Sequence, residues 1–313
     1  QPTHMASNNQ TSVTEFILKS FSENPQFQIF LFSLFLGLFI VAFTGNSLII
    51  VVISLNPGLH TPMYFFLINL ALLDILSTCT VVLKLLQNLM TENTISYGGC
   101  IAQIYFLTWF LGSELLLFTA MAYDRYAAIC QPLHYNTMMN KTVCCLLASV
   151  VWSVSGINTT IHTIITVRLS FCGPNAIDHF FCEIPPLLPL SCSSTYINNI
   201  MVFVADMFFA IINFLFILIS YGFIISSILK IQTTEGKKKA FSTCSSHLIV
   251  VTMYYCTIIY IYILPALGQS LNEGKIASVF YAIVSPAANP LIYSLRNKDV
   301  KVALNKLCPF FRK

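Results

Sequence analysis

The residues with the most chemistry to offer sit inside apolar runs. In Met121-Ala122-Tyr123-Asp124-Arg125-Tyr126-Ala127-Ala128-Ile129-Cys130, an acid, an arginine and two tyrosines close a run that begins near Ile101. Charge in such a run is costly in hydrocarbon, so it needs an interface, a partner or a function. Just before Gln131-Pro132, the Asp124-Arg125 pair reads as a switch at the mouth of a helix bundle. It reads equally as a snorkelling pair that anchors a helix end. Deeper in the apolar runs stand Asn46 behind Gly45, Asp74, and, in the same run, Glu114, which lies about three turns before Arg125. These three read as one inward-facing cluster that binds a proton or a cation such as sodium and moves on activation. The alternative is polar glue between helices, worth about 0.6 kcal/mol per interaction. Asp206, placed one turn below the outer end of its run, reads as a ligand contact or as a hydrogen bond to a neighbouring helix. No Gly-x-Ser-x-Gly, HExxH, P-loop or CxxC pair is present, and His60, His134, His162, His179 and His247 are scattered. The sequence therefore predicts no enzyme, no cofactor and no metal beyond that possible sodium.

The elements that must position these groups follow from composition. Of 313 residues, 56 % are hydrophobic and 9 % charged, with a mean hydropathy of +0.76. Soluble domains carry about 25 % charged residues, so this chain cannot cover a water-facing surface. A net charge of +4, mostly beside the apolar runs, does not point to nucleic acid. Seven runs reach the ~20 residues a span needs: 27–54, 62–89, 101–130, 143–167, 197–230, 240–264 and 276–295. The expected fold is an all-α membrane protein, a seven-helix bundle over 27–297. An N-terminal segment, 1–26, precedes it, and a short amphipathic helix and tail, 298–313, follow. Gln1 to His4 read as a vector-derived remnant ahead of Met5, with no cleavable signal peptide after it and the first span as the targeting signal.

Basic residues beside the spans set orientation. Lys141, Lys230, Lys237 to Lys239, Arg296, Lys298, Lys301, Lys306, Arg312 and Lys313 share the side of Arg125. Lys19, Arg168 and Lys275 lie opposite, among Glu15, Glu23, Glu92, Asp178, Glu183 and Glu273. The N-terminus is expected outside. There Asn9-Gln10-Thr11 offers a glycosylation sequon, whereas Asn140-Lys141-Thr142 faces the cytoplasm and Asn158 lies within the fourth span. Cys100, Cys172, Cys182 and Cys192 fall on the oxidising side, where four cysteines allow three pairings. The loop from Arg168 to Thr195 holds three of them. Cys308 sits in the basic amphipathic stretch, either palmitoylated or free. Stripes at helical spacing occur in the third run (Ile104, Thr108, Leu111, Gly112, Leu115) and the sixth (Tyr255, Ile258, Ile259, Tyr262). They read as bundle packing, or as a pocket wall if the helices splay.

Taken together, the motifs closely resemble one family, the vertebrate olfactory receptors among the rhodopsin-like G-protein-coupled receptors. The matching stretches are Gly45-Asn46, Pro62 to Leu67, Met121 to Cys130, Ser220-Tyr221, Lys239 to Leu248, and Asn289-Pro290-Leu291-Ile292-Tyr293 to Asn297. The short third outer loop resembles the tetrapod-type (class II) branch. Ala127 and Ala288 depart from the family by removing bulk near the switch. Leu107 stands where amine receptors place an acid, and the seventh span has no lysine for retinal, which argues against an aminergic receptor or an opsin.

The resemblance implies Cys100–Cys182 and Cys172–Cys192 disulfides. It implies an odorant held between spans three, five and six by Ile104, Thr108, Leu111, Gly112, Ala205, Asp206, Phe209, Tyr255, Ile258, Ile259 and Tyr262. It further implies a switch of Asp124, Arg125, Tyr126, Tyr221, His247, Asn289, Pro290 and Tyr293, with Arg125 held by Asp124 until opening. The implied partners are a small odorant, the olfactory stimulatory G protein (raising cyclic AMP) and membrane lipid, at the plasma membrane of olfactory cilia. A transporter using Asp74, Glu114 and Asp206 as an ion path is the alternative. It is disfavoured because the sequence shows no internal repeat and no paired broken helices.

Overall fold

The computed structural model describes residues 13–307 except 20, 22, 23, 267–270 and 297. For 206, 239, 243, 259–266, 271–274, 294–296, 298, 299 and 305–307 it describes the backbone alone. Asn9, Cys308 and Gln1–His4 lie outside the described residues, as do the side chains of Asp206, Ile259 and Tyr262.

Long helices follow the apolar runs: α1 Pro25–Leu55, α2 Pro62–Met90, α3 Tyr97–Cys130, α4 Lys141–Thr166, α5 Tyr196–Lys230, α6 Thr234–Ala266 and α7 from Leu271 to Arg296. Among the described residues, six are long and apolar enough to cross a membrane, and α6 adds 33 residues more. A short α8, Lys298–Leu307, follows. Local chemistry sets the ends. Asn24 caps α1 by accepting from the Gln26 N–H at 2.9 Å, with Pro25 at the first position. Ser96 caps α3 through the Gly99 N–H at 3.1 Å. Asn140 spends its amide on the α4 cap, accepting from the Val143 N–H at 3.0 Å.

The helices alternate in direction, so each end of the bundle gathers its own set of groups: one holds the four disulfide cysteines, the other Arg125. Central α3 touches α2, α4, α5 and α6, and α1 packs between α2 and α7. At Gly45, an added Cβ would lie 2.8 Å from Pro290 Cγ. Only glycine lets α1 approach α7 this closely. The outer faces stay apolar, with Ile29, Phe30, Leu146, Ile157, Phe203, Phe216 and Leu229 exposed, as lipid requires.

Three features depart from the expectation. First, the chain is not wholly helical: β1 Glu15–Leu18 pairs antiparallel with β2 Thr94–Ser96 and parallel with β3 Ala176–Ile177. Phe16 and Leu18 are buried by this pairing in a cluster with Ile95, Ile104, Phe171 and Leu187. Second, α5 and α7 each contain a π turn, Met207–Ile212 and Phe280–Val284. Third, α5 starts at Tyr196, so Asp206 is the last of eleven residues and lies about three turns, not one, below the helix end.

Candidate functional site

At the Arg125 end, the charge pair is fully enclosed. The Arg125 Nε–H donates to Asp124 Oδ2 at 2.8 Å, and Nη2 bonds the same oxygen. The Tyr135 hydroxyl donates to Asp124 Oδ1 at 2.8 Å from the helical turn Tyr135–Met138. Burial and the Asp124 charge push the Tyr135 phenol above its ordinary value. Beside the pair, the Tyr221 hydroxyl and His247 Nδ1 share a hydrogen bond at 2.7 Å, and Phe118 meets the His247 ring edge-on. Tyr126 is half-buried against Phe223.

Halfway down the bundle a polar layer joins α1, α2, α3, α6 and α7. Asn289 Nδ2 donates to both Asp74 oxygens, at 3.1 and 3.0 Å. Ser77 donates to Glu114 Oε1 at 3.4 Å, and the Tyr254 hydroxyl also bonds Glu114. Asn46 Nδ2 donates to the Pro286 carbonyl at 3.0 Å. All of these residues are buried, so none faces lipid. Among the described residues no group of three or more His, Cys, Asp or Glu gathers as metal ligands. The oxygen donors of Asp74, Ser77 and Glu114 are of the hard type rather than the soft type that transition metals prefer.

The expected ligand residues fall into two zones. Gly112 and Phe209 face one another, since a Cβ on Gly112 would lie 3.4 Å from Phe209 Cε1 and 3.3 Å from Ser155 Oγ. Leu111, Ala205 and Ile258 line the same main core, where Tyr255 stacks on Phe214. Ile104 belongs to the cluster beneath the long loop, and Thr108 is half-buried between the zones. A cavity of about 100 Å³ opens between α5 and α6 beside Phe214, Ile217, Val251 and Tyr255, reaching down to Tyr221.

The long loop is stapled over this end. Cys100 bonds Cys182 and Cys172 bonds Cys192, with Cα separations of 5.4 and 6.0 Å. Gln103 Oε1 accepts from the Cys182 N–H at 2.8 Å. Three loop residues then meet one face of α7 at Lys275, Ser278 and Tyr281. Asp178 takes Lys275 at 2.7 Å and Lys19 at 3.4 Å, and these ammonium groups, Lys275 above all, hold its carboxyl below the usual range. His179 bonds the Phe181 carbonyl at 3.1 Å and Ser278 Oγ at 3.2 Å, and burial lowers its pKa to about 4. Glu183 accepts from the Tyr281 hydroxyl, and burial raises its carboxyl to about 8.

The olfactory receptor family profile matches residues 35–309. The chain belongs to the olfactory receptor family. Human olfactory receptor 13A1 is 59 % identical over 313 residues, covering 100 % of this chain and 95 % of that one. Human olfactory receptor 13G1 is 51 % identical over 305 residues, covering 97 % and 99 %. The olfactory receptor-like protein OLF4 of Canis lupus familiaris is 47 % identical over 305 residues, covering 97 % and 98 %. The family is one of multi-pass, non-enzymatic signalling receptors, and odorant ligands and G-protein coupling go with it in general. In this olfactory receptor, sequence reasoning passed over Gln103, Glu183, Asn213 and Tyr281. Only Asn213, an amide inside an apolar run, carried the kind of signal that singled out Asn46.

Proposed function

We propose that this receptor binds a small volatile molecule between α3, α5 and α6 under the stapled loop and activates a stimulatory G protein to raise cyclic AMP. In this reading the N-terminus and Asn9, the glycosylation acceptor, face outward at the membrane of olfactory cilia. The seven-helix domain spans 27–297, with the amphipathic helix and tail of 298–313 inside. Mostly apolar walls with a few polar groups suit a small-molecule ligand. The observation that carries the reading is the enclosed Asp124–Arg125–Tyr135 group beside the Tyr221–His247 pair. This is a closed arrangement with an alternative partner for Arg125 next to it. A ligand that binds the opened form better shifts the balance, freeing Arg125 toward Tyr221 and baring a crevice near His247 for the G protein. Asn289, Pro290 and Tyr293 carry the change along α7. Asp74, Ser77 and Glu114 are the residues that would hold a sodium ion in the closed form.

The test is cyclic AMP in cells co-expressing the stimulatory G protein, across an odorant panel, with Arg125→Ala beside the parent. The expected result is a class-dependent parent response and loss of signal in the variant at equal surface density. Full signalling by the variant would remove Arg125 from the switch.

A further inference from the structure

The cavity between α5 and α6 opens on the lipid side of the bundle. Its inner wall is Ile217, Val251 and Tyr255, all buried, and its outer edge is Leu218, Thr252 and Cys256, all exposed. Leu215 and Ile219 beside that edge are exposed apolar residues too, so the opening faces hydrocarbon. A dry apolar cavity of about 150 Å³ takes up benzene, so one of about 100 Å³ has room for the end of a hydrocarbon chain. Charge gathers at the Arg125 end of the same two helices. There α5 ends on Lys230, residues 231–233 lead into α6, and Lys237, Lys238 and Lys239 follow, against Glu235 alone. Lys230 and Lys238 are exposed and Lys237 is half-buried, and among the described residues none of the three meets a carboxylate. The exposed side chains of Leu229 and Phe241 next to them place the lysines where hydrocarbon gives way to headgroups. Tyr221, at the foot of the cavity, is nine residues or about 13 Å from Lys230, and Leu248 is ten residues or about 15 Å from Lys238. One leaflet of hydrocarbon is also about 15 Å deep.

We propose that an anionic phospholipid occupies the α5–α6 seam, its phosphate on the lysines and the end of one acyl chain in the cavity, and that it holds the two helices together. A free hydrocarbon would fit the cavity alone, and a soluble anion the lysines alone. A phospholipid meets both, because the fold sets the two surfaces one leaflet apart. Cytoplasmic leaflets carry anionic lipid, and the Arg125 end faces the cytoplasm in the reading above. The Tyr221–His247 hydrogen bond crosses from α5 to α6 at the foot of the cavity. A chain packed against Tyr221 therefore adds to the contacts that opening must break. The site stands without the odorant reading, whereas its bearing on opening rests on that reading.

The experiment places the purified full-length receptor in phosphatidylcholine nanodiscs with a photoreactive lipid that carries a diazirine near the end of one acyl chain. The probe has either a serine or a choline headgroup, and cross-linked residues are mapped by peptide mass spectrometry. The serine probe should label 214–221 and 248–256 about fivefold or more above the choline probe, the weight of a single lysine at an anionic surface. Replacing Lys230, Lys237 and Lys238 together by Gln should remove that preference. Thr252→Trp, which fills the cavity from its exposed edge, should remove labelling there by both probes with the lysines still in place. The parent should also melt higher in discs containing phosphatidylserine than in phosphatidylcholine alone, and the triple variant should not. Parent-like melting in phosphatidylcholine checks that each variant is folded. Equal labelling by the two probes overturns the proposal. So does serine-probe labelling that Thr252→Trp leaves unchanged, or a parent melting temperature that is the same in both lipids. No readout uses an odorant or a G protein, so a failure of the receptor reading is seen separately, in the cyclic AMP test.

Discussion

Asp124 serves two donors, Arg125 and Tyr135, and the second comes from a different helical turn. A hydrogen bond to a charged group is worth about 1.5–3 kcal/mol, and 1.4 kcal/mol is about a factor of ten in an equilibrium. Tyr135→Phe should therefore weaken the closed form and raise odorant-free cyclic AMP about tenfold or more at equal surface density. Unchanged basal signalling would mean that Arg125 alone holds Asp124. At this scale the sequence was readable where charge met hydrocarbon. Asn46, Asp74, Glu114, Asp124 and Arg125 stand out because they are costly there. Gln103 and Glu183 do not, since a glutamine near a helix end and a glutamate in a loop are ordinary. Their meaning comes from partners 79 and 98 residues away.

Helices were legible because about 20 apolar residues are long enough to recognise. Their ends stayed close to the expected ones, because proline and capping side chains mark them. The strands were not legible: three runs of two to four residues carry too little pattern, and each is stable only through the others. Nor were the π turns. The α5 turn depends on Asn213, whose Nδ2 donates to the Phe208 carbonyl at 2.8 Å while its Oδ1 accepts from the Thr119 hydroxyl at 2.8 Å. One amide thus satisfies the widened backbone and ties α5 to α3. Asn213→Leu would strand both partners, at about 1–3 kcal/mol for each unsatisfied group. Purified in detergent, the variant should melt about 4–8 °C lower. Thr119→Val added to it should cost little more, because the bond is already gone. An unaltered Tm would return Asn213 to ordinary packing.

The whole molecule responds to pH through the loop that closes its cysteine end. Glu183 ionises near its ordinary 4.5 when unfolded and at about 8 when folded, so between those values the folded chain holds the extra proton. Stability contributed by that proton falls as pH rises through the window and is gone above it. His179 works oppositely: its folded pKa of about 4 lies below its unfolded 6.5, so acid below 6.5 destabilises. Between about 4.5 and 6.5 the two offset one another, and above 6.5 His179 no longer offsets Glu183. The parent should therefore lose more melting temperature from pH 6.5 to 8.5 than Glu183→Gln does. Parallel curves for the two proteins would show that the carboxyl is already ionised in the fold.

The small sheet also sets a schedule. Its first strand is made near the start of synthesis, yet it bonds a loop segment 160 residues later, where Asn175 donates to the Glu15 carbonyl. At roughly 5–20 residues per second, β1 waits about 8–30 s for that partner, and four long helices must be made in between. During that interval Phe16 and Leu18 have β2 and the start of α3 beside them, but not Phe171, Ile177 or Leu187. A newly made chain that stalls before residue 175 therefore leaves Phe16 and Leu18 with only part of their final cover.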